Sequence, residues 1–559
     1  MTHEPPDDEY SIHWIRDVVD KVAERNVEEY RISSGKSVSG SIHLGFMREL
    51  VICDVIMREL RERGLKSCTL FIVDDFDPLR SLPGSSSLSL DEWAGIPYSD
   101  VPDEFGCCQS YGEHHANELI ETFPEFGVDP EVIWHHKLYE TPEMKQAVRT
   151  CLLNTDTIRE ILIEYVARDF NDEQQKEYIE SIRSWYPATV VCPDCGRLQS
   201  GAKGEIVPNR VTNYDAEKDM VSFNCPACGH ANTLPLDSIR VKLSWRVDWP
   251  AKWHVLDVTC EPAGKDHAVK GGSYDSGLEI SRRVFGWEGP VKVPFEWVRI
   301  GGRDMSSSEG IVFIPKRWSA IAPPELYRFI MLKTDLNRAI NIMPEKVPDM
   351  TDEFERLERT YYGIDAESAI DDELARLLYP LCLSGAVPEE FTPNIPFKFA
   401  IVMSQLESVI GSDMVMSRSE YAIQRQYSLE SVSAESRRNI RRRLDRALKW
   451  VQEFGSNRDR VDVPDLVPSS IIETLTELDI RFLQGFLEKL RAEEMDDETL
   501  QSAVFGIARE LGLKEKRAFV VLYRILISRK SGPRLAPFIN MLGRDWVIRR
   551  ITDALELVG

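Results

Sequence analysis

Residues 31–49, RISSGKSVSGSIHLGFMRE, constrain this chain more than any other stretch. Glycine and serine recur at Gly35, Ser37, Ser39 and Gly40, and His43-Leu44-Gly45 then opens an apolar run over residues 50–56. The pattern predicts a turn followed by a helix. Glycines let a backbone approach a polyphosphate, and the first N–H groups of a helix are unpaired and point at an anion placed before it. His43 adds a polar donor beside a transferring phosphate. A serine-rich loop that merely caps an ordinary helix would use the same residues, so the surrounding chain has to decide.

Upstream, Trp14, Val18, Val22 and Val27 fall near helical spacing and predict an amphipathic helix over residues 11–30. Downstream, the apolar run 68–73 ends in Asp74-Asp75 and reads as a buried parallel strand. Strand, glycine turn, helix, strand is the beginning of a doubly wound sheet, whose ligand sits at the carboxyl ends of the strands. The 559 residues exceed one hydrophobic core, so about three or four domains are expected. A formal net charge of −24 excludes wholesale nonspecific nucleic-acid binding while leaving room for a local basic surface. The acidic start MTHEPPDDEY is no signal peptide, and no apolar run approaches the ~20 residues of a membrane span, so a cytoplasmic protein is expected.

Eleven cysteines are an odd number, and without an export signal metal binding is favoured over a disulfide framework. Cys192 and Cys195 in VCPDCGR, and Cys225 and Cys228 in NCPACGH, form two pairs separated by 29 residues. Proline and glycine in each pair suit the tight turns of a zinc ribbon, and four thiolates make the site structural. A redox CxxC is the competing reading. In DEFGCCQSYGEHH, Asp103, Cys107, Cys108 and His114 supply four ligand types that tetrahedral zinc accepts. Adjacent buried free cysteines would look the same, and His115 or His136 could compete as ligands.

Residues 118–186 read as mostly helical, broken at Pro142 and Asn171-Asp172. Residues 241–257, VKLSWRVDWPAKWHVLD, mix tryptophans and charges in a way that suits a core or a pocket for a cationic amino acid. EPAGKDH at 261–267 and GGSYDSG at 271–277 read as glycine turns that could bind adenosine or substrate. Residues 295–300 read as a strand, followed by a glycine- and serine-rich loop that carries Arg303. Helical periodicity dominates beyond residue 323, and the proline-rich stretch 388–396 is a candidate boundary. Residues 435–450 then gather Arg437, Arg438, Arg441, Arg442, Arg443, Arg446 and Lys449 on one helix. That helix is either a phosphate-contacting surface or a solvated face paired with acids.

With these residues in view, the chain resembles class I lysyl-tRNA synthetases from about Trp14 to its end. The motifs that carry the resemblance are SGSIHLGFMRE, DDFDPLR, PDEFGCCQSYGEH, WRVDWPAKW, EPAGKDH with GGSYDSG, DMSSSEG and GPRLAPF, in that order. The resemblance implies an α/β protein: a Rossmann-type catalytic domain with zinc-bearing insertions, followed by all-α tRNA-binding domains. It divides the chain into a first catalytic half at 1–187 and a zinc-ribbon insertion at 188–235. A second catalytic half at 236–320, a helical stem-contact region at 321–395 and an anticodon-binding domain at 396–559 complete the division. The implied reaction joins L-lysine to ATP, giving lysyl-adenylate and pyrophosphate, and then charges the 3′ end of tRNA(Lys). Implied cofactors are Zn²⁺ at two sites and Mg²⁺ with ATP, and a monomer without membrane contact is expected.

The same resemblance assigns roles. His43, Gly45, Arg303, Met305, Ser306, Ser307 and Ser308 would serve catalysis, and Ser39, Gly40, His43, Gly45, Gly264, Asp266 and His267 would bind ATP. Gly35, Ser37, Trp245, His267 and Tyr274 would bind lysine, with Asp248, Glu261 or Asp266 facing its ε-ammonium. Asp103, Cys107, Cys108 and His114 would hold one zinc, with Cys108 where a histidine is usual, and the CxxC pairs a second. Arg437, Arg438, Arg441 and Arg442 are candidates for tRNA contact. Two departures stand out: Phe46 replaces a polar residue at the end of the first signature, and Asp304 and Glu309 occupy lysine positions of the second. A tRNA-binding paralogue with impaired catalysis is therefore the alternative reading.

Overall fold

The computed structural model describes residues 13–84, 86–201, 206–303, 313–365 and 370–558. At its centre, β1 (Tyr30–Ser37), β2 (Ser67–Asp74), β3 (Glu131–Trp134), β4 (Val258–Gly264) and β5 (Val291–Phe295) form one parallel sheet. Their order is β5-β4-β1-β2-β3. The winding direction reverses between β1 and β4, which opens a crevice at their carboxyl ends. The doubly wound α/β core expected from the sequence is therefore present.

β2 owes its place to the run Leu70–Val73, all of it buried, as a strand covered on both faces requires. β1 is polar and central at once. Its Ser33 and Ser34 are completely buried; Ser34 donates to the Leu70 carbonyl, and Ser33 to the Glu261 carboxylate. Internal hydrogen bonds thus let a serine-rich segment occupy a middle strand. This corrects two sequence expectations. The first helix is His13–Ala23 and stops well before Tyr30, which starts β1. Gly35 and Ser37 belong to the strand, so the turn begins only after Ser37.

Behind the turn, α1 (Met47–Glu62) packs against the sheet through Met47, Leu50, Val51, Val55 and Ile56. Residues 118–186 are helical apart from β3, whose four residues are too short for a periodicity signal. The segments 261–267 and 271–277 are not a pair of turns. The first ends β4, and the second starts α4 (Ser273–Phe285), which follows α3 (Trp245–Val255) in the chain order of the helices around the cleft, after α2 (Tyr111–Ile120). Gly277 lies inside α4 because a Cβ there would come within 2.9 Å of the Trp253 ring. Residues 295–300 likewise divide: β5 ends at Phe295, and Val298–Ile300 pairs with Ile340–Ile342 in a separate small sheet.

The cysteine pairs sit on a small antiparallel module with strands Val211–Asp215, Met220–Asn224 and Ala231–Pro235. Ala188–Val190 and Val241–Leu243 pair antiparallel where the chain enters and leaves this module. The chain divides into two compact units, the first comprising Met1–Trp318, Pro324–Met343 and Ser368–Val387. The second unit is helical throughout its described elements, from Val347–Tyr361 to Arg544–Glu556, and includes α5 (Ala434–Phe454).

Arg328 knits the first unit together. Its guanidinium, completely buried, donates to the Leu381 and Phe126 carbonyls and to Asp54 at 2.6 Å. In Arg328→Met both carbonyls lose this donor while Arg58 still holds Asp54. The first unit should lose about 3 kcal/mol of stability. Chemical denaturation checks this, and a loss below about 1 kcal/mol would show that the buried guanidinium is dispensable.

Candidate active site

The carboxyl ends of β1, β2 and β4, roofed by α3, enclose a cleft of about 430 Å³. Gly35 and Ser37 reach it from β1, Glu49 from α1 and Asp74 from β2. Asp77 and Arg80 follow from the loop after β2, and Trp245, Asp248, Trp249 and Lys252 from α3. Glu261 to Gly264 and His267 complete the wall.

The floor is a closed ion network. Lys252 Nζ lies 2.5 Å from Asp74 and 3.3 Å from Asp248, and Asp248 also accepts from His135 Nε2 at 3.1 Å and Tyr139 at 2.5 Å. Lys242 joins Asp77 at 3.0 Å. Burial would raise the Asp248 pKa, but His135, Lys252 and Lys242 outweigh it and hold the carboxyl well below its usual range. Burial would lower the Lys252 pKa, and Asp248 with Asp74 reverses that too. Asp248, a candidate partner for a bound ammonium, is thus already matched from within.

The wall is different. Glu261 accepts from Trp249 Nε1 at 2.5 Å and Trp253 Nε1 at 2.9 Å, in addition to Ser33. Burial nevertheless pushes its pKa up. Glu49 is more extreme: burial and then the neighbouring Glu261 raise its pKa well above normal. Among the described residues it accepts one long hydrogen bond, from Gly35 N–H to Oε1 at 3.4 Å, and no ion pair reaches it. The sequence reading missed Glu49 as a cleft group. The available signal was an acid at the third position of a helix whose first turns are otherwise buried.

Beside the cleft, His43 precedes a short helical turn, Leu44–Phe46, that leads into α1. Its Nδ1 is buried without a hydrogen-bond partner. Burial, then the positive Lys36, lowers its pKa to about 4, so the ring is neutral at pH 7. Leu44 N–H donates to the Phe313 carbonyl at 2.7 Å, and Tyr327 donates to the Leu44 carbonyl. The end of the second signature segment is therefore pinned to the first.

Gly35, Ser37, Trp245, Gly264 and His267 line the cleft as the sequence suggested. Ser39, Gly40, His43 and Gly45 lie in the adjoining turn. Tyr274 stands behind the wall, completely buried, packed on Trp253 at 4.7 Å and hydrogen-bonded to the Glu261 carbonyl. Asp266 is exposed on the short helix Lys265–Ala268 and does not line the cleft. Arg303 is exposed at the start of its loop, whereas Met305, Ser306, Ser307, Ser308, Asp304 and Glu309 lie outside the described residues. In the second unit, Arg437 pairs with Glu420 and Arg441 with Glu407 and Asp445, while Arg438 and Arg442 are exposed. The acid-paired reading of this helix holds for half of its four candidate arginines.

Two cysteine clusters have ligand geometry. Cys192 and Cys228 sulfurs lie 3.6 Å apart, as do those of Cys195 and Cys225. A tetrahedron with bonds of about 2.3 Å has edges of about 3.8 Å, so four thiolates here fit an ion of zinc's size. The second cluster is Asp103, Cys107, Cys108 and His114, whose ligand atoms lie within 4.8 Å of one another. Backbone N–H groups of Phe105, Cys108 and Cys107 outweigh burial and hold Asp103 down to about 2. His114 starts a physical link to the signature turn through α2. Tyr111 donates to the Ser39 carbonyl at 3.1 Å, and Glu118 accepts from Ser41 at 2.7 Å and faces His115 at 3.0 Å.

The sequence profile of tRNA synthetases class I (K) matches residues 12–381, and that of an anticodon binding domain matches residues 459–555. The chain belongs to the class I tRNA synthetase (K) family. Its relatives include a lysine--tRNA ligase of Methanocaldococcus jannaschii, 33% identical over 547 residues, covering 96% of this chain and 99% of the relative. Lysine--tRNA ligases of Archaeoglobus fulgidus and Pyrococcus horikoshii are each 31% identical over 97% of this chain, covering 100% and 99% of those relatives.

Metal analysis tests the cysteine geometry. Cys225→Ser should lose one zinc equivalent per chain and melt at a lower temperature, because a structural metal's binding energy is folding energy. Unchanged metal content would contradict the four-thiolate site.

Proposed function

We propose that this chain is a lysine--tRNA ligase, forming lysyl-adenylate from L-lysine and ATP and transferring the lysyl group to tRNA(Lys). The observation that carries the reading is Glu49: a half-buried carboxyl group with a raised pKa and no ion pair among the described residues, in a cleft lined by Trp245 and Trp249. A lysine ε-ammonium supplies the missing charge, and the tryptophans cover its aliphatic stem. Asp248 does not fill this role, since its partners are internal, and Glu261 is occupied by two indoles and a serine.

The chemistry needs positioning and charge rather than a covalent protein intermediate. The lysine carboxylate attacks the α-phosphorus in line, and pyrophosphate leaves with the bonding electrons. His43, neutral at pH 7, donates one N–H to phosphate oxygens. The N–H groups at the start of α1 add a partial positive charge. Mg²⁺ arrives with ATP and neutralises phosphate charge. Arg303 and the serines at 306–308 are proposed to close from the other side.

The two cysteine-containing clusters are proposed as zinc sites, the four-thiolate one structural. The division at 187, 235, 320 and 395 is retained as a proposal for catalytic, ribbon, stem-contact and anticodon roles. Within α5, Arg438 and Arg442 are the arginines left exposed for tRNA phosphates. No helix is long and apolar enough to cross a membrane among the described residues. Nothing in the relatives favours the impaired tRNA-binding paralogue.

Lysine-dependent exchange of labelled pyrophosphate into ATP, followed by charging of total tRNA, tests this function directly. Both should occur with lysine and not with other amino acids; folded, zinc-loaded protein that does neither would sink the proposal. Glu49→Gln should raise the lysine KM roughly 30-fold or more, corresponding to about 2–5 kcal/mol for truncating one side of a buried charge pair. An unchanged KM would remove Glu49 from the lysine site.

A further inference from the structure

Lys36 lies at the middle of the site with no anion bonded to it. It sits in β1 between Gly35 and Ser37, both of which line the cleft. The two-residue alternation of a strand sends its side chain to the opposite face, where the signature turn and α1 begin. There its ammonium lies over the Phe46 ring, 5.8 Å from the centroid. No carboxylate oxygen comes within 4.0 Å of it among the described residues. Burial lowers its pKa, Glu49 and Asp74 act against that, and its own charge acts on His43, Glu49 and His267.

Each part of this arrangement suits an anion that arrives from solution. An ammonium held by a carboxylate has its charge neutralised, whereas one resting on an aromatic face keeps most of its charge available. Phe46, the residue that departs from the first signature, supplies that face. His43 shares the ammonium's side of the strand, with a buried ring nitrogen still unpartnered. The Lys36 ammonium and the neutral His43 ring are therefore two donors available to one polyanion. The loop that would ordinarily bring lysines to that polyanion has Asp304 and Glu309 instead.

We propose that Lys36 supplies the cation for the triphosphate of ATP, in place of the lysines absent from the 304–309 loop. The assignment rests on the adenylate-forming reading above. As the lysine carboxylate oxygen bonds to the α-phosphorus, the bond from that phosphorus to the bridging oxygen breaks. The electron pair goes to pyrophosphate, and negative charge grows on the leaving group. The Lys36 ammonium offsets that growth without giving up a proton. The competing role is occupation of the lysine pocket, with the Lys36 ammonium taking the place of a substrate ammonium before Glu49 and Asp74. It lies over Phe46 and also feels Glu49 and Asp74, so kinetics have to separate the two roles.

The two roles separate in the kinetics of Lys36→Met, Lys36→Arg and the double variant Lys36→Met with Glu309→Lys, each checked for folding by thermal melt. ATP binding without lysine should weaken about tenfold or more in Lys36→Met, and pyrophosphate exchange should slow on the order of a hundredfold. The lysine KM should stay within about twofold. Lys36→Arg should recover most of both effects, and the double variant part of the exchange rate, which a purely structural role would not allow. A lower lysine KM with unchanged ATP binding would instead make Lys36 a plug in the lysine pocket. Unchanged ATP binding in a folded Lys36→Met would overturn the proposal as well. ATP binding is read without turnover, so it judges Lys36 even if the wild-type chain fails to exchange; that failure would count against the ligase reading alone.

Discussion

Three carboxyl groups, one buried and two half-buried, crowd the mouths of adjacent parallel strands, and the site has to be built around that constraint. Glu49, Asp74 and Glu261 meet at one crevice, where water cannot solvate them freely. Each is handled differently. Asp74 is neutralised by Lys252 at 2.5 Å. Glu261 is held by hydrogen bonds from Ser33, Trp249 and Trp253, while burial keeps its proton affinity high. Glu49 has neither solution and is the one left open to a ligand. A buried charge without a partner is costly, so a cleft that keeps one is stabilised when a cation enters.

The same economy explains the supporting helices. α3 carries Asp248, Trp249, Lys252 and Trp253, so one helix provides the floor's cation, its carboxylate and both indoles of the wall. α4 stands behind it, where Gly277 leaves room for Trp253 and Tyr274 braces Glu261 through its carbonyl. α2 couples the Asp103–His114 cluster to the phosphate turn through Tyr111 and Glu118. Order in that cluster therefore reaches Ser39 and Ser41, two residues of the turn, without any direct contact with substrate.

The parts legible in the sequence were those that depend on local pattern. The run 68–73 revealed β2, the CxxC spacing revealed the four-thiolate cluster, and the glycine pattern revealed the turn that leads through His43 into α1. β1 was obscured because Ser33 and Ser34 share its buried positions with Tyr30 and Ile32, and they are satisfied by donating to Glu261 and to the Leu70 carbonyl of β2, contacts that no local pattern shows. The pocket acid was obscured for a related reason. Asp248, Glu261 and Asp266 all sat in suggestive motifs, yet only contacts across the fold distinguish a carboxylate already paired from one left free. Tyr274 was legible as part of the site but not as its backing, since burial depends on how α4 packs. Nothing in the sequence singled out Lys36, whose ammonium the structure sets over the Phe46 ring.

Calorimetric titration with lysine and with norleucine, which has the same four-carbon side chain but no ε-ammonium, tests the central claim most directly. Glu49 has a raised pKa when the cleft is empty, and a bound ammonium lowers it, so lysine binding should release a proton as pH falls towards that raised value. The account predicts lysine binding whose heat varies with buffer ionisation enthalpy and whose affinity rises with pH through the Glu49 transition, alongside no measurable binding of norleucine. Equal binding of the two, or lysine binding with no linked proton at any pH, would contradict it.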